Sequence, residues 1–289
     1  MSAAQILGIV AGGGELATAI ARAVREDGRP VFLLGLDGIA DPGQLRDFPH
    51  AWACIGEIAK MVALLKDAGC SEITFAGRVS RPDFSKLRLD RLAAQYLPRL
   101  LAAALKGDDA LLRAVISIFE QQQFRVVGAA DVTRRLLAPA GPFGDISPDS
   151  RHIEDMRHGA RVVSGMGEFD IGQAAVTCEG LVLAVEAAEG TDAMLSRVAG
   201  LPEPLRGTSS ARRGVLVKAL KPRQERRVDM PVIGPRTVEL ASAAGLAGIG
   251  VQADGVLVLN RKQVVETADL HGLFVYGFGP SDLVAAAPA

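Results

Sequence analysis

Apolar runs of five or six residues alternate with amphipathic stretches through about the first 135 residues. That rhythm is the signature of βαβ units. Gln5–Val10 predicts a strand running into Ala11-Gly12-Gly13-Gly14, and Glu15–Glu26 predicts a helix closed by Gly28-Arg29-Pro30. Val31–Leu36 and Glu72–Ala76 predict two further strands, with a helix over Glu57–Ala68 ending at Gly69. Leu87–Gln123 is helical in period with breaks near Pro98 and Gly107, and Arg125–Gly128 offers a last strand. Right-handed crossovers make such a sheet mostly parallel. Ligands then bind at the carboxyl ends of its strands, which puts the glycine turn and Ala76-Gly77-Arg78 on one rim.

Leu137–Ser150, with three Pro, two Gly and no periodicity, reads as a linker. The expected organisation is therefore a domain over 1–136, a linker over 137–150 and a second domain over 151–289. Strands and shorter helices alternate again in the second domain. Arg151–Val163 is a mixed helix, Ala174–Val185 one apolar β-run and Thr191–Val198 a helix. Gly214–Ala219 and Gly255–Asn260 read as strands, Arg236–Ala244 as a helix, and Gly245–Ile249 as a helix end entering a strand. The fold class is α/β in both halves.

Composition sharpens this picture. At 289 residues the chain is long enough for two domains, and with 49% hydrophobic but only 4% aromatic residues its cores are aliphatic. A formal net charge of −1 argues against a general nucleic-acid binder. Cys54, Cys70 and Cys178 are too far apart in sequence for a metal knuckle or redox motif, so they read as buried free thiols. His50, His152, His158 and His271 fit no metal-ligand spacing. No leader and no apolar run of membrane-spanning length is apparent.

Two oddities carry the chemistry. Asp170–Met194 sets Glu179, Glu186, Glu189 and Asp192 into and after an apolar run, where an ionised carboxylate is costly unless paired, hydrogen-bonded or coordinated. On an uninterrupted strand Glu179 and Glu186, seven apart, face opposite ways, so one faces a site, and Glu179 is preferred. The second oddity is Asp229, an acid immediately after the basic run Lys218–Arg227, which holds Arg223, Arg226 and Arg227. Arginine forks suit a diphosphate, and an acid beside them suits a metal ion bridging to phosphate oxygens.

Other features stay open between chemistry and structure. Gly12-x-Gly14-x-x-Ala17 fits the dinucleotide fingerprint, with Asp37 where a ribose-binding acid stands. It equally fits a phosphate held at a helix N-terminus or a tight turn alone. Arg78–Pro82 is either a cationic rim or a solvated loop. Asp108 or Asp109, and the pair Thr191-Asp192, are helix N-caps or site residues. Leu87–Leu105, with Arg88, Arg91 and Arg99 among its leucines, is either a basic amphipathic surface segment or ordinary core.

The order GGGELA, FAGRVSRPDFS, KGDDALLR, SPD, DIGQAAVTCEGLVLAVEAAEGTDAML, VKALKPRQERRVDMPVIG and AGLAGI resembles the LpxI family from about Gly8 to Gly277. These are UDP-2,3-diacylglucosamine pyrophosphatases of lipid A synthesis in Gram-negative bacteria. The resemblance implies a Rossmann-like N-terminal domain, a second α/β domain and a homodimer with exchanged domains. It implies cleavage of the diphosphate to 2,3-diacylglucosamine 1-phosphate (lipid X) and UMP with Mg²⁺, or Mn²⁺ in its place. Asp229 matches the family aspartate whose removal blocks turnover. Gly12, Gly13, Gly14, Gly77, Arg78, Asp108, Gln173, Thr191, Asp192 and Lys218 are the expected substrate contacts, with Asp229 and Glu179 the expected metal ligands. A two-chain lipid substrate implies peripheral work at the cytoplasmic face of the inner membrane. Two other readings stand beside it: an NAD(P)-dependent oxidoreductase using the glycine turn, and a non-catalytic nucleotide-sugar or lipid-binding regulator.

Overall fold

A computed structural model describes residues 5–80, 82–222 and 225–283. Two compact units divide the chain: Met1–Arg135 with Glu225–Asp229, and Leu136–Gln224 with Met230–Ala289. Arg81 of the expected cationic rim and Arg223 of the basic run lie outside the described residues.

In the first unit the elements run β1 (Ile6–Ala11), α1 (Leu16–Glu26), β2 (Val31–Leu36), α2 (Pro42–Leu45), β3 (His50–Ala53), α3 (Ile58–Asp67) and β4 (Cys70–Ala76). Then follow α4 (Arg91–Ala104), α5 (Asp108–Gln121), β5 (Arg125–Val126) and α6 (Ala129–Val132). The sheet order is β3-β2-β1-β4-β5, and every pairing is parallel. β1 is central and almost wholly buried, which is why it reads as a continuous apolar run rather than an alternating one. α1 buries Ala17, Ile20, Ala21 and Val24, one face at helical spacing. Full burial of Ile20 and Val24 contributes about 1.5–3 kcal/mol each. β3 was not expected, because HAWA is short and half exposed. Pro98 does not break α4, which runs on to Ala104. α5 starts at Asp108 behind Gly107 as N-cap, so neither aspartate caps it; both sit in its first turn, where the helix dipole favours them.

The second unit contains β6 (Gly141–Pro142), α7 (Ser150–Gly167), β7 (Ala174–Cys178), β8 (Leu181–Val185), α8 (Gly190–Ala199), α9 (Glu203–Arg206), β9 (Val215–Lys218) and β10 (Val232–Ile233). It continues with α10 (Pro235–Ala243), β11 (Gly248–Gln252), β12 (Leu257–Val258), α11 (Arg261–His271), β13 (Phe274–Phe278) and α12 (Pro280–Leu283). Its main sheet has the order β6-β13-β11-β9-β7-β8, parallel across β9, β11 and β13 and antiparallel at both edges. The segment read as a linker belongs to this unit. Ala138 N–H donates to Val256 O at 2.9 Å, and Gly141-Pro142 pairs with Tyr276-Gly277. The expected single β-run is a hairpin. Glu179 and Gly180 take φ +50° and +80° between β7 and β8, the left-handed pair that a two-residue hairpin loop requires. α11 and β13 had no counterpart in the sequence reading.

Candidate functional site

The glycine turn after β1 is zipped to the turn after β4. Gly12 N–H donates to Ala76 O, Gly13 N–H to Arg78 O and Arg78 N–H to Gly13 O, each at 2.8 Å. A Cβ on Gly12 would lie 2.8 Å from Arg78 O, and one on Gly77 2.8 Å from Gly13 O. Glycine at both positions is thus required by the approach of two backbones. The Gly12 and Gly13 amides are engaged there, so neither points its N–H at a phosphate. Gly14 differs, with φ +84° and open space where a Cβ would stand. Arg78 is exposed beside it in the chain order of the second turn, and Asp108 is exposed at the start of α5. Asp37, at the end of β2, accepts from Cys54 Sγ at 3.8 Å.

Asp229 is carried by the first unit. Glu225–Asp229 forms a single turn in which Val228 and Asp229 N–H donate to Glu225 O at 3.1 and 3.2 Å. Glu225 N–H donates to Asp109 Oδ1 at 3.1 Å, while Arg113 Nε holds Asp109 Oδ2 at 2.8 Å. Arg227 grips Glu225 with two nitrogens, at 2.9 and 3.0 Å, and reaches Glu120 on α5 at 2.7 Å. Val228 packs on the apolar core of the first unit, and Gly128 lets the strap close in, since a Cβ there would lie 3.0 Å from Arg227 Cα. The carboxylates push the Arg227 guanidinium further above its ordinary range, Glu225 first, and Arg227 in turn holds the Glu225 carboxyl below its own. Asp229 itself is half-buried.

In the second unit Lys218, Thr191 and Glu186 form a buried chain. Lys218 Nζ donates to Thr191 Oγ1 at 2.7 Å and to Val232 O at 2.9 Å. Thr191 O–H donates to Glu186 Oε1 at 2.7 Å, and Gln173 N–H donates to Glu186 Oε2 at 2.9 Å. Lys218 is 8% exposed and Glu186 9%. A buried ammonium persists only with such partners. Thr191 is not a cap, since Glu189 holds that position of α8. Its neighbour Asp192 turns to Arg236 on α10, with Nε–Oδ2 at 2.9 Å.

The hairpin exchanges the two glutamates. Gln173 and Glu186 flank the open end of β7 and β8, whereas Glu179 sits in the turn, roughly 17 Å away for five strand residues at about 3.4 Å each. There both Glu179 oxygens accept from Arg213, and its carboxyl titrates lower for that reason. Buried Asp155 accepts the Glu179 and Gly180 N–H groups at 2.9 and 3.0 Å and fixes the turn. Glu179 is therefore a turn residue paired with an arginine. Glu186, passed over in the sequence, is the carboxylate that accepts from Thr191, whose hydroxyl in turn accepts from Lys218. The Glu-Gly dipeptide between two apolar runs was the available signal. Among the described residues no group of three or more His, Cys, Asp or Glu side chains is placed to hold a metal ion. No described helix is long and apolar enough to cross a membrane.

Comparison with known proteins covers both halves. Residues 6–136 match the model of the LpxI N-terminal domain, and residues 139–276 match that of the LpxI C-terminal domain. The chain is 48% identical over 276 residues to the UDP-2,3-diacylglucosamine pyrophosphatase LpxI of Caulobacter vibrioides, spanning 96% of this chain and 98% of that protein.

Proposed function

Because the chain belongs to the LpxI family, we propose that it is a UDP-2,3-diacylglucosamine diphosphatase of lipid A synthesis. Identity over almost the whole length, across both domains, carries this reading. Water adds to one phosphorus, the P–O–P bridge breaks, and the products are UMP and 2,3-diacylglucosamine 1-phosphate. Asp229 is the catalytic carboxylate of this reading. Lys218, held by Thr191 and through it by Glu186, supplies an ammonium for phosphate oxygens, and the Gln173 turn is pinned to the same carboxylate. A preorganised cation of this kind offsets the charge that accumulates on a leaving phosphate.

Mg²⁺ is proposed as the cofactor, with Mn²⁺ able to replace it. Mg²⁺ keeps several waters and is held by one or two carboxylates plus substrate phosphates rather than by a protein cage. Asp229 is the ligand we assign; Glu179 is paired with Arg213. When bound, the ion screens the diphosphate and polarises the attacking water.

The oxidoreductase alternative has no support, because two of the three glycine amides it needs already donate to Ala76 and Arg78. The test is incubation of the pure chain with UDP-2,3-diacylglucosamine and Mg²⁺. UMP should appear, stop with EDTA and resume on adding Mg²⁺ or Mn²⁺. No UMP under any of these conditions would overturn the reading and leave a binding protein.

A further inference from the structure

We propose that Arg227 is a positioning residue that fixes Asp229 by clamping the Glu225–Asp229 turn onto α5. The inference rests on the reading of Asp229 as the catalytic carboxylate. Five residues cannot hold a conformation by one turn of backbone bonding, because ordering them costs about 1–2 kcal/mol each. Side chains supply the difference here. Glu225 is tied by its N–H to Asp109 and by its carboxylate to Arg227. Arg227 spans from that carboxylate to Glu120, so one guanidinium joins the turn to the helix. Arginine is suited to this because its planar fork serves two carboxylates at once; a lysine ammonium is a point charge. Val228, half-buried between Arg227 and Asp229, packs on the core. Asp229 therefore stands two residues beyond a fixed guanidinium, and its N–H is bonded back to Glu225 O. Freedom at Arg227 is freedom at Asp229.

The experiment measures kcat and KM for UMP release, with the melting temperature of each variant. Arg227→Gln should lower kcat by about 10- to 100-fold, the cost of a carboxylate displaced by about 1 Å, with KM within about threefold of wild type. Glu120→Gln, at a more exposed position, removes only one arm of the clamp and should give a smaller loss of the same kind. It also keeps the test alive should Arg227→Gln fail to fold. In an Asp229→Ala background, adding Arg227→Gln should change neither the residual rate nor the affinity for 2,3-diacylglucosamine 1-phosphate measured by calorimetry. A kcat within twofold of wild type in folded Arg227→Gln would overturn the proposal. So would a rise in KM alone, or weaker product binding in the double variant, since either means that Arg227 touches substrate itself. Full turnover by Asp229→Ala would instead remove the premise.

Discussion

Lys218 is an ammonium only 8% exposed, and its charge is tolerable because a hydroxyl and a carbonyl receive its protons. The Thr191 hydroxyl can accept from Lys218 because its own proton goes to Glu186, so the direction of the whole chain is set by one carboxylate. Removing that acceptor strands the Thr191 O–H, the Gln173 N–H and the neighbouring ammonium in a dry site. Glu186→Leu should therefore lower the free energy of unfolding by about 3 kcal/mol, the cost of leaving buried donors without their acceptor. Urea denaturation measures it, and a loss below 1 kcal/mol would mean that solvent rescues the site. This residue was half legible. Sequence alone shows that carboxylates in Asp170–Met194 need partners, but the choice between Glu179 and Glu186 depends on whether the strand is interrupted. Glu179 with φ +50° is an uncommon conformation for a residue with a Cβ. Local propensity gives little warning of it, and Asp155, which holds that turn, is 24 residues earlier in the chain.

Among elements, the apolar strands and amphipathic helices of the first unit are legible because burial on two faces or one stripe leaves a period in the sequence. β2 occupies Val31–Leu36 and α1 ends at Glu26, both at the expected residues. The Glu225–Asp229 strap is the opposite case. Its place is set by Asp109, Glu120 and Gly128, about a hundred residues away, and a charged segment of five residues has no period to show it. Its ion pairs have a pH consequence. Arg227 depresses the Glu225 carboxyl below its ordinary 4.5, so the stabilisation it gives is present above that value and is lost as pH falls through the lower folded one. Thermal unfolding of the wild type should therefore fall as the pH is lowered from about 5 to about 3. Glu225→Gln should melt lower at neutral pH and lose less over the same acid range. Equal acid sensitivity in the two proteins would show that the pair contributes no stability.

At the scale of the whole molecule, a substrate with two acyl chains must be met at a surface or from one. α4 and its C-cap offer Leu101 and Leu105, the latter 89% exposed, with Arg91 and Arg99 also exposed, while Leu100, Ala93 and Ala104 face the core. One face of this segment is core, and the other carries exposed leucine and arginine side chains. We propose that it supports peripheral attachment to anionic bilayers. The wild type should co-sediment with anionic vesicles, and a triple Arg88/Arg91/Arg99 to Glu variant should do so less; equal sedimentation would refute it. The proposed exchanged-domain homodimer is read by light scattering as twice the 30.3 kDa chain mass. The central claim is hydrolysis dependent on one carboxylate, and the direct test is turnover of UDP-2,3-diacylglucosamine by wild type and Asp229→Ala side by side in Mg²⁺. The account predicts UMP from the wild type and a loss of roughly two to three orders of magnitude in kcat for the variant, about 3–4 kcal/mol of transition-state stabilisation, with product affinity retained. UMP release by Asp229→Ala at the wild-type rate would contradict it.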